Sequence, residues 1–480
     1  MNRAAAALVR GMTRLGPQYL PFADAATEEL PLGRLLRLSL FQVTVGMAAV
    51  LMIGTLNRVM IVELNVPSWI VALMLALPLL SAPLRTLVGF RSDHHRSVLG
   101  WRRVPFIWFG TMAQFGGFAI MPFALLILSG DTTGPLWVGD AAAALAFLLV
   151  GAGLHTVQTV GLALATDLAP ERARPKVVAL LCAMLLAGMA VSALLFGLLL
   201  RHFSEVRLIQ VVQGAAVVTI LLNSAALWKQ EPRNMTPLPE QRRVGFLDAW
   251  GRFSTASRTR RRLLAIALGT AGFSMQDILL EPYGGKILKL PVGATTALTA
   301  MLAVGGGLGL ALAARRLNRG ADPHRVAGFG ALVGVVAFAL VMFAAPMESA
   351  EAFGAGVGLI GFGGGLFAHG TLTASMAAAR PEDRGLALGA WGAAQATSAG
   401  LAIALSGFIN DVGGALAMAG AFGDTLADPV TGFTLVYGCE VLLLLATIIA
   451  IGPLSRRRRV STEPSFDAVS PIRFNSGGLP

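Results

Sequence analysis

Long apolar runs alternate with short polar or Pro/Gly-containing breaks along most of the chain. Runs long enough to cross a bilayer fall at 38–59, 66–88, 104–129, 141–165, 177–200 and 207–228. After a polar gap the pattern resumes at 263–284, 291–314, 326–346, 352–377, 385–408 and 430–453. Crossing the hydrocarbon core takes about 20 residues of helix, so each run predicts one span. Apolar positions within the runs are continuous rather than alternating, which favours helices over the strands of a barrel. The pattern therefore predicts an all-α membrane protein with 12 transmembrane helices, six and six.

Composition agrees: of 480 residues, 55% are hydrophobic and only 13% charged. A soluble chain carries about a quarter charged residues. Soluble enzymes, disordered proteins and nucleic-acid binders are excluded on this ground. The formal charge of +12 is explained by topology. With both ends cytoplasmic, the tails and even-numbered connections hold 32 of the 38 Lys and Arg residues. The opposite side receives Arg58, Arg201, Arg207, Lys286 and Lys289, together with acids such as Glu63, Asp131, Asp140 and Asp411. This bias orients the chain in its membrane with both termini in the cytoplasm. The expected units are a cytoplasmic segment 1–37, a first half 38–228, a cytoplasmic linker 229–262, a second half 263–453 and a tail 454–480. The linker carries a short surface helix near 245–253, and the Ser-, Pro- and Gly-rich tail reads as disordered.

The halves repeat one another. Gly151, Gly153 and Leu154 lead, after a helix length, to Ala169, Pro170, Glu171 and Arg172; Gly363, Gly364, Gly365 and Leu366 lead likewise to Arg380, Pro381, Glu382, Asp383 and Arg384. Two parallel six-helix units joined by a cytoplasmic linker is the architecture of the major facilitator superfamily. The connection between spans two and three resembles that superfamily's loop: Gly89, Asp93, Gly100, Arg102 and Arg103, with about four extra residues between Asp93 and Gly100. Glycine permits the tight turn there, and Asp93 is placed to cap a helix or to pair with an arginine in a conformational lock.

Polar groups inside spans are costly and mark cavities or partners. Asp277 and Glu281 lie toward the outer end of span seven, beside Gln276; four-residue spacing puts both carboxylates on one helical face. They are candidates for a substrate or proton site, and equally for a cap or interhelix lock. Glu440 in span twelve reads as an interhelix hydrogen-bonding group. His155 in span four and His369 in span ten occupy near-matching positions of the two halves. A neutral imidazole in lipid takes either a hydrogen-bonding neighbour or a metal, and the magnesium of a chlorin ring is one such metal. Gly305, Gly306, Gly307, Gly361, Gly363, Gly364 and Gly365 either bring helices close or leave grooves for a flat ring. The sequence carries no nucleotide loop, zinc spacing or catalytic triad, so no enzymatic activity is expected.

Residues 272–285, Gly-Phe-Ser-Met-Gln-Asp-Ile-Leu-Leu-Glu-Pro-Tyr-Gly-Gly, are similar to the signature of the PucC/LhaA family of phototrophic bacteria, a branch of the major facilitator superfamily. Arg91, Ser92, Asp93, His94, His95 and Arg96, the run from Gly100 to Phe106, and the run from Ala165 to Glu171 resemble the same family. The likeness covers residues 30–455, and the long lead before span one resembles the LhaA branch. It implies an assembly factor for light-harvesting complex 1 of the intracytoplasmic photosynthetic membrane. On this reading the protein brings bacteriochlorophyll, with carotenoid as a further pigment, to newly inserted antenna polypeptides. His155 and His369 are then candidate magnesium ligands. The implied partners are the alpha and beta polypeptides of that complex, the reaction centre, bacteriochlorophyll synthase, the protein translocation machinery and the lipid membrane. A proton-coupled transporter using Asp277 is the alternative.

Overall fold

The computed structural model describes residues 27, 30–80, 92, 97, 100–130, 135–170, 173–232, 257–378 and 384–455. Within them the regular structure is helical. Eleven helices are long and apolar enough to cross a membrane: Leu32–Glu63, Val104–Leu128, Leu136–Leu168, Lys176–Leu199, Glu205–Leu227, Arg258–Lys286, Val292–Asn318, Pro323–Ala344, Ala350–Ala378, Gly389–Met418 and Val430–Leu454. The shorter apolar helix Ser68–Leu80 takes the place of span two, whose continuation lies outside the described residues. We number these spans one to twelve in chain order. The fold is that of the major facilitator superfamily, and the chain is a multi-pass membrane protein.

Hydropathy located the described span ends within about six residues, except that span eleven runs on from 408 to Met418, and several of the differences have local causes. Span one begins at Leu32 because Arg34 and Arg37 continue the helix and bond to carbonyls at the end of span six and the start of the linker. Arg34 donates to the Gln230 carbonyl at 2.6 Å and Arg37 to the Trp228 carbonyl at 2.9 Å. The helix of span seven starts at Ser257, where its basic first turns still bond backward into the protein; Arg261 donates to the Ala450 carbonyl at 2.9 Å. Arg58 departs furthest from expectation. Counted with the outer connection, it lies instead inside span one and is 4% exposed.

Neither half is separable from the other. One continuous apolar core runs through both. At the seam, a Cβ on Gly407 of span eleven would meet the Ser68 carbonyl of span two at 2.6 Å, and one on Gly197 of span five would meet the Gly293 carbonyl of span eight at 2.8 Å. Asn410 donates to the Ser68 hydroxyl at 3.3 Å, and Asp411 accepts the Trp69 peptide N–H at 2.9 Å.

For several glycines of the second half the structure decides in favour of packing. Cβ atoms on Gly305, Gly309, Gly361 and Gly365 would each press on backbone carbonyls across the contact of spans eight and ten. Gly330 of span nine and Gly363 of span ten face each other's carbonyls, at 2.6 and 2.7 Å from the missing methyls. These glycines allow backbones to approach, as small residues do in membrane helix packing, whereas Gly306, Gly307 and Gly364 have their nearest neighbours at 3.6–4.0 Å. Gly358, in the same helix, has open space within 4 Å. Gly363→Ala is therefore expected to lower stability by about 1–3 kcal/mol, because the new methyl overpacks against rigid backbone. Gly358→Ala should leave stability unchanged or raise it by up to about 1 kcal/mol through helix propensity. Thermal unfolding of the two variants in detergent checks the pair of signs.

Candidate functional site

Span seven is broken at the signature. Ser257–Ser274 is α-helical, Met275–Ile278 is a 3-10 turn, and Leu280–Lys286 resumes the α-helix. Pro282 accounts for the interruption. It has no N–H to give the Ile278 carbonyl, and its ring crowds that same carbonyl. In a bilayer the freed groups must find partners in the protein. They find them on two other spans. Asn57 of span one donates its amide to the Ile278 carbonyl at 3.1 Å and to the Asp277 carbonyl at 3.2 Å. Glu440 of span twelve accepts the Gln276 peptide N–H at 2.6 Å, entirely buried. Gln276 in turn donates its side-chain amide to Asp277.

This geometry corrects the expected placement of Asp277 and Glu281 on one continuous helical face. The 3-10 turn separates them, and they meet different neighbours. Asp277 is half-buried beside Gln276, whereas Glu281 is fully buried. Glu281 accepts the Thr299 hydroxyl of span eight at 2.6 Å. Gly54 of span one abuts the same carboxylate, so a larger residue there would have to displace it from Thr299. Span one is itself widened over Val50–Leu56 and Val59–Glu63, with i→i+5 bonding; the Leu64 N–H reaches the Val59 carbonyl at 3.0 Å. Such π-helical turns are frequent at functional sites. This one presents Gly54, Asn57 and Arg58 to span seven.

Arg58 carries the seam outward. It pairs with Glu63 at 2.5 Å and donates to the Leu290 carbonyl at 3.2 Å, while Gly285 leaves room for its guanidinium. Tyr283 anchors the outer piece of span seven within the second half. Its hydroxyl donates to the Val341 carbonyl at 3.2 Å, and its ring lies 5.3 Å from Phe353 and 5.5 Å from both Phe433 and Tyr437. Several polar atoms in this region are buried without hydrogen-bond partners: Asn57 Oδ1, Gln276 Oε1, Glu281 Oε2, Glu440 Oε2 and the Tyr437 hydroxyl.

The connection between spans two and three forms a second polar cluster. Gly100 has φ +81, a conformation that glycine adopts without strain. Arg102 pairs with Asp167 at the end of span four, and Arg103 reaches the same carboxylate at 3.1 Å and the Ser92 hydroxyl at 2.6 Å. Glu231, just after span six, accepts the peptide N–H groups of Arg102, Arg103 and Val104 at 2.8–3.0 Å and so caps span three. Sequence reasoning did not assign Asp167 or Glu231 these roles. A lone acid at the cytoplasmic end of a span, opposite a basic loop, was the available signal for each. Gly89 and Asp93 lie outside the described residues, as do the surface helix expected near 245–253 and the tail beyond 455.

His155 and His369 stand apart from both clusters and from one another in the chain, one in each half, and both are half-buried. Neither imidazole makes a hydrogen bond among the described residues, and His155 Nδ1 is buried without a partner. The interhelix bond that would explain a histidine in a span is therefore missing at both positions. Among the described residues no three His, Cys, Asp or Glu side chains gather to hold a metal by themselves. A magnesium that arrives with its other ligands already in place needs a single imidazole, and the half-exposed rings fit that demand.

The broken helix makes a testable prediction. Asn57→Leu orphans two carbonyls and is expected to destabilise the protein by roughly 1–3 kcal/mol. In a Pro282→Ala background the peptide N–H is restored and the helix can satisfy itself, so the same substitution should cost less. A double-mutant cycle read by thermal unfolding in detergent should give a coupling of about 0.5–3 kcal/mol. Additive effects would show that Asn57 does not serve the break.

Comparison with known proteins extends this geometry. The family model described as PUCC protein matches residues 55–459. The chain is 57% identical to "Protein PucC" of Rhodovulum sulfidophilum over 419 residues, covering 86% of this chain and 92% of that one. It is 29% identical to the "Bacteriochlorophyll synthase 44.5 kDa chain" of Rhodobacter capsulatus, covering 88% and 96%. Among solved structures, a bacterial homologue of the human lysosomal transporter Spinster in an inward-facing, unoccupied conformation superposes with TM-score 0.66 at 14% identity, covering 88% of this chain and 96% of that one. That likeness shows the transporter fold. The sequence match across the broken span seven and both halves shows the family: the chain belongs to the PucC family.

Proposed function

We propose that this protein is an assembly factor for light-harvesting complex 1, which binds bacteriochlorophyll and passes it to newly inserted antenna polypeptides. The observation that carries the reading is the pair of in-membrane imidazoles without hydrogen-bond partners, one per half. Family membership supports a light-harvesting role, and the name of the 29% relative supports a link to pigment. His155 and His369 are the residues that would hold the pigment's magnesium. When bound, the pigment would supply the absorbing ring and no reaction at this protein, which we read as a carrier rather than an enzyme. The choice of the core antenna over the peripheral one rests on the resemblance to the LhaA branch.

The test is an absorption spectrum and pigment-to-protein ratio of the gently solubilised protein, purified from a phototrophic host lacking mature antenna. Stoichiometric bacteriochlorophyll, lost in His155→Leu or His369→Leu, is the expected result. Pigment retained in both variants would move the site elsewhere; no pigment at all would end the carrier reading. Deleting the gene in its own host should lower the absorbance of the core antenna more than that of the peripheral antenna. The reverse order would assign the protein to the peripheral complex.

Asp277 favours one second reading. It is half-buried at a helix break, where discontinuous spans of transporters bind substrates and ions. A proton-coupled carrier of this design would show pH-dependent uptake of solute or pigment precursor that disappears in Asp277→Asn. Uptake unchanged by that variant would remove Asp277 from the reading.

A further inference from the structure

Span six turns one side to the lipid, and that side is not uniformly apolar. Val206, Val217 and Leu221 on it are 66%, 53% and 62% exposed. Between them, at heptad-like spacing, stand Gln210 and Gln213, both exposed and neither hydrogen-bonded among the described residues. At 1.5 Å per residue they lie about 7.5 and 12 Å along the helix from Glu205, so Gln213 is well inside the bilayer. A primary amide that faces hydrocarbon without a partner is costly, and it is normally met by another helix. Span twelve holds the corresponding place in the second half, and it exposes Leu435, Leu442, Leu445 and Ile449. The repeat thus supplies an internal comparison: one outer helix is dressed for lipid, the other for a partner.

The shape beside the amides fits a helix. A groove of about 560 Å³ runs between spans five and six, lined among others by Ser192, Leu195, Gln210, Gly214 and Val218. A Cβ on Gly214 would meet nothing within 4 Å, so an approaching backbone can come close at that point. Small residues flanked by amides are how helices recognise one another in membranes.

We infer that this face of spans five and six docks a single transmembrane helix of another polypeptide. That helix would carry a small residue against Gly214 and a hydroxyl or amide side chain to meet Gln210 and Gln213. A second copy of this chain fits less well. A two-fold contact sets the groove against itself and leaves it unfilled, whereas one convex helix fills it. The inference rests on the reading of the protein as an assembly factor and names where on it the antenna polypeptide sits.

Site-directed photocrosslinking in native membranes tests it. A photoreactive side chain is placed at Val217, beside the amides, and as a control at Leu442 on span twelve, in the full-length protein. Adducts are identified with antibodies to the antenna alpha and beta polypeptides. The expected result is an antenna adduct from position 217 and none from 442. Gln210→Leu with Gln213→Leu should lower that adduct by roughly five- to tenfold, as loss of two interhelix hydrogen bonds predicts. The amount of the variant in the membrane, measured by blot, normalises the yield. An antenna adduct from 442 but not 217 overturns this docking face and leaves the assembly role standing. An adduct at twice the mass of the chain from 217 overturns it in favour of self-association. No antenna adduct at either position overturns it as well; the assembly role then stands or falls separately, on antenna absorbance in the deletion strain.

Discussion

In hydrocarbon no water meets a carbonyl that loses its helical partner, and the arrangement of spans one, seven and twelve follows from that. Pro282 interrupts span seven and frees peptide groups at the depth where satisfying them is hardest. Asn57 takes the carbonyls and Glu440 takes the amide of Gln276. Because Asn57 belongs to the first half and Glu440 to the second, repairing the break also fixes where the halves meet. The widened turns of span one, the glycine at position 54 and the buried Arg58 all serve that approach.

The same constraint explains why residues 272–285 carry so much of the resemblance. Several of them have tasks that their neighbours cannot share. Pro282 makes the break, Gln276 links Glu440 to Asp277, and Glu281 bonds Thr299 while facing Gly54. Tyr283 ties the short outer helix into an aromatic cluster, and Gly285 admits Arg58. A segment with this many backbone and packing demands tolerates little drift.

How far the sequence could be read depended on whether a feature was local. Spans, their order and the repeat are written in runs of apolar residues, and the structure places eleven of the expected helices within the described residues. The tight turn at Gly100 was likewise local. What sequence left open was pairing. Four-residue spacing suggested one carboxylate face, because nothing in the spacing shows that Pro282 turns the helix at Met275–Ile278. Arg58 looked like a boundary charge, since its partners Glu63 and Leu290 are set by tertiary contact. Asp167 and Glu231 were ordinary acids until the fold brought Arg102, Arg103 and the end of span three to them. The glycines could pack or open a groove, and only the facing backbones decide between these.

The distribution of polar groups bears on what the scaffold handles. Carriers of polar solutes line their path with charged and hydrogen-bonding side chains. Here Glu440 and Glu281 are sealed and engaged with Gln276 and Thr299, and Asn57 is occupied by the break. Among these, Asp277 alone keeps a carboxylate at partly open surface. Besides the buried oxygens around the break, the imidazoles on spans four and ten and two amides on span six make no hydrogen bond among the described residues, and an imidazole or an amide carries no fixed charge. Neutral groups suit an apolar cargo with a metal at its centre and a neighbouring helix with a few polar atoms to match. A scaffold that engages these carboxylates in its own architecture, and keeps imidazoles and amides partly exposed along its spans, fits the proposed handling of pigments and membrane peptides better than that of solutes drawn from water.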